Sequence, residues 1–232
     1  MSLLHIYGEC LLRTFRVLGR NLWTLVLPIA YLAVVAPIGA LLAPLRFIGG
    51  FLFALALAAL AASLLYVVSE LVRGLPVRLR EMPQSARPFF WPIMNVAFVF
   101  WVADFFLKPA LAQAPSGEAI LVALNATLFV LFNAVPEVIY QKGEFGGLAA
   151  MMASVKFIQE HWIEWLIPNI ALGAGFWFGL SALQSTAFGF ALEPIAFGAL
   201  LLWALVFRGF LFEALDRSGA RQRALRYRLG GR

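Results

Sequence analysis

The stretch NLWTLVLPIAYLAVVAPIGALLAPL, residues 21–45, holds no ionisable side chain in 25 positions and follows Arg13, Arg16 and Arg20. A hydrocarbon core about 30 Å thick is crossed by about 20 apolar helical residues, so this run is long enough to span a membrane. The apolar part of a cleaved secretory signal is only about 7–15 residues, so the run reads as a retained span. Five further runs follow, at roughly 48–70, 88–107, 119–139, 163–183 and 190–212. Between Trp165 and Phe207 the only charge is Glu193. That interval is long enough for two spans, with a turn near Gln184–Leu192, where Ser185, Thr186 and Gly189 cluster.

Composition points the same way. Of 232 residues, 62% are hydrophobic and 13% charged, against about 25% charged in a soluble domain. The expected fold class is all-α: a polytopic transmembrane bundle of six spans plus two interfacial amphipathic helices. Cys10 is the single cysteine, so an intrachain disulfide is excluded.

The sign of the charge supplies an orientation. With the N-terminus inside, segments 1–20, 71–87, 140–162 and 213–232 lie in the cytoplasm. Of 18 Lys and Arg residues, only Arg46 and Lys108 then fall outside. The other sixteen sit on the cytoplasmic side or at its boundary, as the positive-inside rule requires. The expected location is a bacterial inner membrane, multi-pass, with both termini cytoplasmic.

Residues 3–20 read as a helix lying in the interface. Leu4, Leu11, Phe15 and Leu18 form one stripe and Glu9, Arg13, Arg16 and Arg20 another. Residues 147–162 repeat the device with Leu148, Met151, Val155, Ile158 and Trp162. A shift of 140 superposes the two, placing Thr14 on Ser154, Arg16 on Lys156 and Pro28 on Pro168. Both helices lead into spans running the same way, so a duplication here would be a parallel repeat. The organisation is then an interfacial helix at 1–21, spans one to four at 22–139 with a basic loop at 71–87, a cytoplasmic amphipathic helix at 140–162, spans five and six at 163–212, and a basic tail at 213–232.

The stretch Pro136-Glu137-Val138-Ile139-Tyr140, followed by Gly146-Gly147, Ala150 and Ser154, resembles a loose group of six-helix bacterial membrane proteins. That group includes the membrane domain found beside some glycerophosphoryl diester phosphodiesterases. The resemblance covers about 136–172 and implies the six-span plan. These residues hold no phosphodiesterase domain, so the resemblance implies no such activity and transfers no catalytic residue.

Within the spans, Ala54, Ala58 and Ala62 and, later, Ala171, Gly175 and Gly179 repeat at four-residue spacing, which lets helices approach closely. Pro28, Pro37 and Pro44 are expected to bend span one. Asn125 and Asn133 in span four and Asn169 in span five cost free energy in lipid unless bonded, so they are expected to face the interior. They form interhelical hydrogen bonds on one reading and line a solute or lipid path on the other.

The chain has no Gly-x-Ser-x-Gly turn, no His-Glu-x-x-His helix and no phosphate loop. Glu160, His161 and Glu164 share a helical face and are metal-ligand types, but at a span entrance they read as interfacial charge. Asp104 and Lys108 read as a boundary ion pair, and Glu137, at the inner end of span four, as placed to approach Glu164 or the loop arginines. Arg13, Arg16, Arg20, Arg78, Arg80, Arg221, Arg223, Arg226 and Arg228 are expected to meet anionic headgroups or a partner. Cofactors, metals and nucleic acid are not expected. Expected partners are cytoplasmic-side lipids and a membrane protein or second copy of the chain. The leading expectation is a non-catalytic subunit, scaffold or assembly factor with a basic cytoplasmic face. The alternative is a small permease or lipid-handling protein.

Overall fold

The computed structural model describes residues 3–114, 116–184 and 189–230, and the side chains of these except at 189–191 and 219–230. The described residues are mostly helical, without strands. The helices are α1 (Leu3–Arg20), α2 (Leu27–Leu42), α3 (Arg46–Val72), α4 (Phe90–Ala112), α5 (Gly117–Leu131), the single turn α6 (Val135–Glu137), α7 (Gly147–Gln184) and α8 (Gly189–Gly230). A π-turn at Val138–Lys142 continues α6. Five stretches are long and apolar enough to cross a membrane: Leu22–Val72, Phe90–Ala112, Gly117–Lys142, Gly147–Gln184 and Leu192–Ser218.

Leu22–Val72 is 51 residues long, and local chemistry folds it back on itself. Pro44 lies in a tight turn at Ala43–Leu45, and Arg46 then takes φ 49°, which stops helix propagation. Gly49 seats the return against the turn, since a Cβ there would lie 1.9 Å from the Leu42 carbonyl oxygen. Gly39 faces Phe53, and Tyr31 bonds to Ser63 further down, so α2 and α3 run antiparallel. α3 ends in a Schellman cap: Gly74 has φ 76°, Gly74 N–H donates to the Leu71 carbonyl and Leu75 N–H to that of Glu70.

α7 and α8 form a second hairpin, with Phe176 against Phe197 at one level and Trp165 against Phe212 at another. Gln184 and Glu193 bond across the hairpin at 2.7 Å. Residues 185–188, in the turn expected between them, lie outside the described residues. α8 is the central element and touches α1, α2, α3 and α7. Its inward face carries Leu202, Val206, Phe207, Phe210, Leu211 and Leu215, all buried. In lipid the close fit of such side chains, rather than release of water, holds helices together.

Two expectations about faces need correction. The buried face of α1 is Cys10, Thr14 and Leu18, whereas Leu4 and Phe15 are exposed. In α7 the buried face is Ala150, Met151, Ser154, Phe157, Ile158 and His161, whereas Leu148 and Trp162 are exposed. Leu18, Met151 and Ile158 of the expected stripes are buried, but the inward faces also take in the small polar groups Thr14 and Ser154. Thr14 bonds its own helix at the Cys10 carbonyl, and Ser154 reaches the Leu131 carbonyl on α5. The expected small-residue faces divide. Ala58 and Ala62 are buried, but Ala54 is exposed, and Ala171, Gly175 and Gly179 face outward, with nothing within 4 Å of a Cβ at either glycine.

The expected helix at 140–162 and span five are one element, α7, broken at His161 (φ −136°, ψ 26°). α1 breaks comparably at Asn21 (φ −132°, ψ 43°) before the next helix begins. Each break precedes a buried proline by seven residues, Pro28 and Pro168. Beyond Phe212, the expected tail continues as helix to Gly230.

The closest approach lies at Gly209, where a Cβ would meet the Tyr140 hydroxyl at 2.4 Å and Val72 Cγ2 at 2.5 Å. Gly209→Val is expected to cost about 1–3 kcal/mol by overpacking, whereas Gly175→Ala, which meets open space within a helix, is expected to cost nothing and to gain up to about 1 kcal/mol. Thermal unfolding of both variants in mild detergent checks the contrast.

Candidate functional site

α5 ends at Leu131, and a turn at Phe132–Ala134 carries the chain into α6. Pro136 starts that turn of helix with its φ already set. Glu137 follows and is 1% exposed. Its partner is Arg208 of α8, with Nε donating to Oε1 at 3.0 Å and Nη2 to Oε2 at 3.1 Å. This is the two-pronged fork that guanidinium and carboxylate geometry favours. Arg208 Nη2 also donates to the Asn133 carbonyl at 2.5 Å. The guanidinium lies over the indole of Trp165, 5.2 Å from the ring centroid, a cation–π placement that favours the ion in a dry interior.

Trp165, on α7, is fully buried. Its Nε1–H donates to Asn133 Oδ1 at 3.0 Å. Phe157 and Phe212 meet the indole at near-right angles, and they stack on each other at 4.3 Å. One constellation therefore ties α6, α7 and α8 together. Immediately beyond, Gln141 Nε2 donates to the Gly209 carbonyl at 2.8 Å, joining the π-turn to α8. Insertions of this kind widen a helix by one residue and recur at functional places.

A second tier of charge lies one to two helical turns further along α8. Glu213 receives Arg13 from α1 at 3.2 Å and Arg217 at 2.6 Å. Asp216 receives Lys142 at 2.8 Å, and Arg73 reaches Glu70 at 3.6 Å. These pairs are partly exposed and each adds about 0–1 kcal/mol, so their main effect is to set the charge pattern of this basic end. Arg13 also lies over the Phe210 ring, 4.3 Å from its centroid. Cys10, on the buried face of α1, has its thiol pushed up to about 11, chiefly by burial, with Arg13 opposing and Glu9 and Glu213 adding to the rise. A buried thiol held protonated packs as a small apolar group and is a poor nucleophile.

The expected site residues separate clearly. Asn133 stands inside the constellation, with side chain and carbonyl both engaged. Asn169 donates to the Trp165 carbonyl on its own helix at 2.6 Å. Asn125 is exposed on α5 and does not join Asn133, because α5 ends between them and the turn breaks the helical register. Glu137 meets Arg208, and neither Glu164 nor the loop arginines. Asp104 and Lys108 do pair, at 2.5 Å. Arg16, Arg20 and Arg80 are exposed, and Arg78 lies 3.9 Å from Glu81. The side chains of Arg221, Arg223, Arg226 and Arg228 lie outside the described residues. His161 is buried at the kink beside Phe157, and Glu160 is exposed. Among the described residues no three His, Cys, Asp or Glu are grouped to hold a metal.

Sequence reasoning missed Arg208 and a chain of hydroxyls. Arg208 reads as a boundary charge in a linear count. The signal was there: it is the one cation in the run from Leu192 to Phe212, and Glu137 is the one anion closing the run at 119–139. The hydroxyls are Tyr31, Ser63 and Ser85, joined at 2.5 Å each, with Ser85 donating to the Met82 carbonyl. That last bond uses the Ser85 proton, so donation runs Tyr31 to Ser63 to Ser85. It fastens the basic loop to the α2–α3 hairpin.

The chain matches no family pattern, no curated protein and no solved structure.

The asparagines allow a graded test. Asn133→Leu removes the Trp165 bond and is expected to lower stability by about 0.6 kcal/mol, and by no more than about 1.7 kcal/mol. Asn125→Leu, at an exposed position, is expected to be neutral or slightly stabilising in lipid. Unfolding midpoints of the two variants in bilayer discs read the order, and a larger loss at Asn125 would contradict the placement.

Proposed function

We propose that the chain is a six-span protein of a bacterial-type inner membrane with both termini in the cytoplasm. Its role on this reading is that of a non-catalytic subunit, scaffold or assembly factor. The observation that carries the role is the closed arrangement of Glu137, Arg208, Asn133 and Trp165: their donors and acceptors are spent on one another and hold three helical elements in place. Around this fixed interior the outward surface is broad and aromatic, with Trp91, Phe98, Trp101, Phe105 and Phe106 exposed along α4. Such a face suits lipid or the span of another protein.

Six spans follow from reading Leu22–Val72 as two crossings, since its halves lie antiparallel. The orientation rests on the sixteen-to-two division of basic residues. A parallel duplication is part of the proposal. It is supported by the helix breaks at Asn21 and His161 and by the buried prolines that follow each at the same interval. The lipid-handling alternative draws on one observation, the polar clefts at the basic end.

Reporter fusions at Gly74, Pro115, Gly143 and Gly230 are expected to read inside, outside, inside and inside. An outside reading at Gly230 would overturn the six-span count. Purification in mild detergent is expected to bring down a stoichiometric membrane-protein partner, and recovery of the chain alone with a bound solute would favour a permease instead.

A further inference from the structure

Two cavities open at the basic end, of about 290 and 380 Å³. They share Ser69, Arg73, Tyr140, Gln141 and Lys142 as lining, so they are lobes of one cleft between the end of α3, the π-turn and α8. Their sizes fall at the lower end of small-ligand pockets, about 300–1,000 Å³.

Three features mark the cleft as built for a ligand. Ser69 is 1% exposed, and its hydroxyl has no hydrogen-bond partner in the protein although it lines both lobes. Buried hydroxyls are nearly always satisfied, so its bond is left for a ligand atom or a water. Acids and bases line the cleft in equal number, Lys142 closely paired with Asp216 at 2.8 Å and Arg217 with Glu213 at 2.6 Å. Arg73 is more than half exposed and only loosely held by Glu70 at 3.6 Å, so most of its five donors are available. Finally, α3 and the π-turn both finish here, at Val72 and Lys142, and helix ends of this polarity favour a cation.

A simple anion would fit poorly, because the acids equal the bases in number and Lys142 and Arg217 are already paired. A group carrying a phosphate and an ammonium a few ångströms apart fits both sets. We propose that this cleft binds a phosphoethanolamine group inserted at the loose Arg73–Glu70 pair, its phosphate on Arg73 and Ser69 and its primary ammonium on Glu70. The inference rests on the membrane orientation proposed above, which puts the cleft at headgroup depth. A quaternary ammonium such as choline has no N–H to give the carboxylate, and a glycerol headgroup has no cation, so the cleft discriminates among common headgroups.

The full chain, purified in mild detergent, is titrated with dihexanoyl phosphatidylethanolamine, phosphatidylcholine or phosphatidylglycerol, and with phosphoethanolamine lacking acyl chains. Native mass spectrometry reads occupancy. Phosphatidylethanolamine is expected to bind about tenfold more tightly than the other two lipids. Ser69→Ala, which removes one oxygen and keeps helix propensity, and Arg73→Gln, at an exposed helix end, are each expected to erase that preference, while Arg80→Gln keeps it. Equal binding of the three lipids, a preference for phosphatidylglycerol, or a preference that survives in both variants would overturn the proposal. Phosphoethanolamine binding as tightly as the lipid would support the site and assign it to a soluble ligand. Release of the native protein from membranes by alkaline carbonate would instead break the membrane reading, which separates the two failures.

Discussion

The rest of the structure depends on the paired charge of Arg208 and Glu137. A guanidinium on α8 cannot be left in an apolar interior without a counterion, since isolated charge there costs many kcal/mol. Satisfying it dictates where three elements go. α6 must bring a carboxylate to α8, the preceding turn must aim the Asn133 carbonyl at the same nitrogen, and α7 must offer the face of Trp165. The indole is in turn fixed by Asn133 Oδ1. Hydrophobic packing alone would let these helices slide in lipid, because lipid tails are as good a neighbour as leucine. The ion pair gives the bundle one register.

The irregular backbone of this region follows from the same demand. α5 stops at Leu131 and the chain resumes as a short turn and a π-turn. That widening brings Tyr140 against Gly209 and lets Gln141 cap the Gly209 carbonyl. Gly209 is needed because α8 passes there with no room for a side chain. Non-helical backbone at this depth is tolerated because it is enclosed by protein.

Much of the fold was legible in the sequence, and the reason is physical. Long apolar runs without charge have few fates, and those at 88–107, 119–139 and 163–183 each fall largely within helices. The turn at Pro44 and the amphipathic character of α1 were also readable. What escaped were matters of three-dimensional proximity. The stripes in α1 and α7 were partly right, with Leu18, Met151 and Ile158 buried, but the buried faces are turned so that they also include Thr14 and Ser154 while Phe15 and Trp162 are exposed. Asn125 and Asn133 were both expected to face the interior of one unbroken span, and the end of α5 at Leu131 separates them. Arg208 looked like a terminal charge because a linear count has no depth; only its pairing with Glu137, 71 positions away, reveals its place.

The register claim is tested most directly by a double-mutant cycle on Arg208→Met and Glu137→Leu, read as unfolding free energy in bilayer discs. If the pair sets the fold, each single change strands a buried charge and costs about 3–5 kcal/mol. The double change then costs much less than the sum, because neither charge remains. Two small, additive effects would show that the charges are solvated separately and that some other contact holds α6, α7 and α8 together.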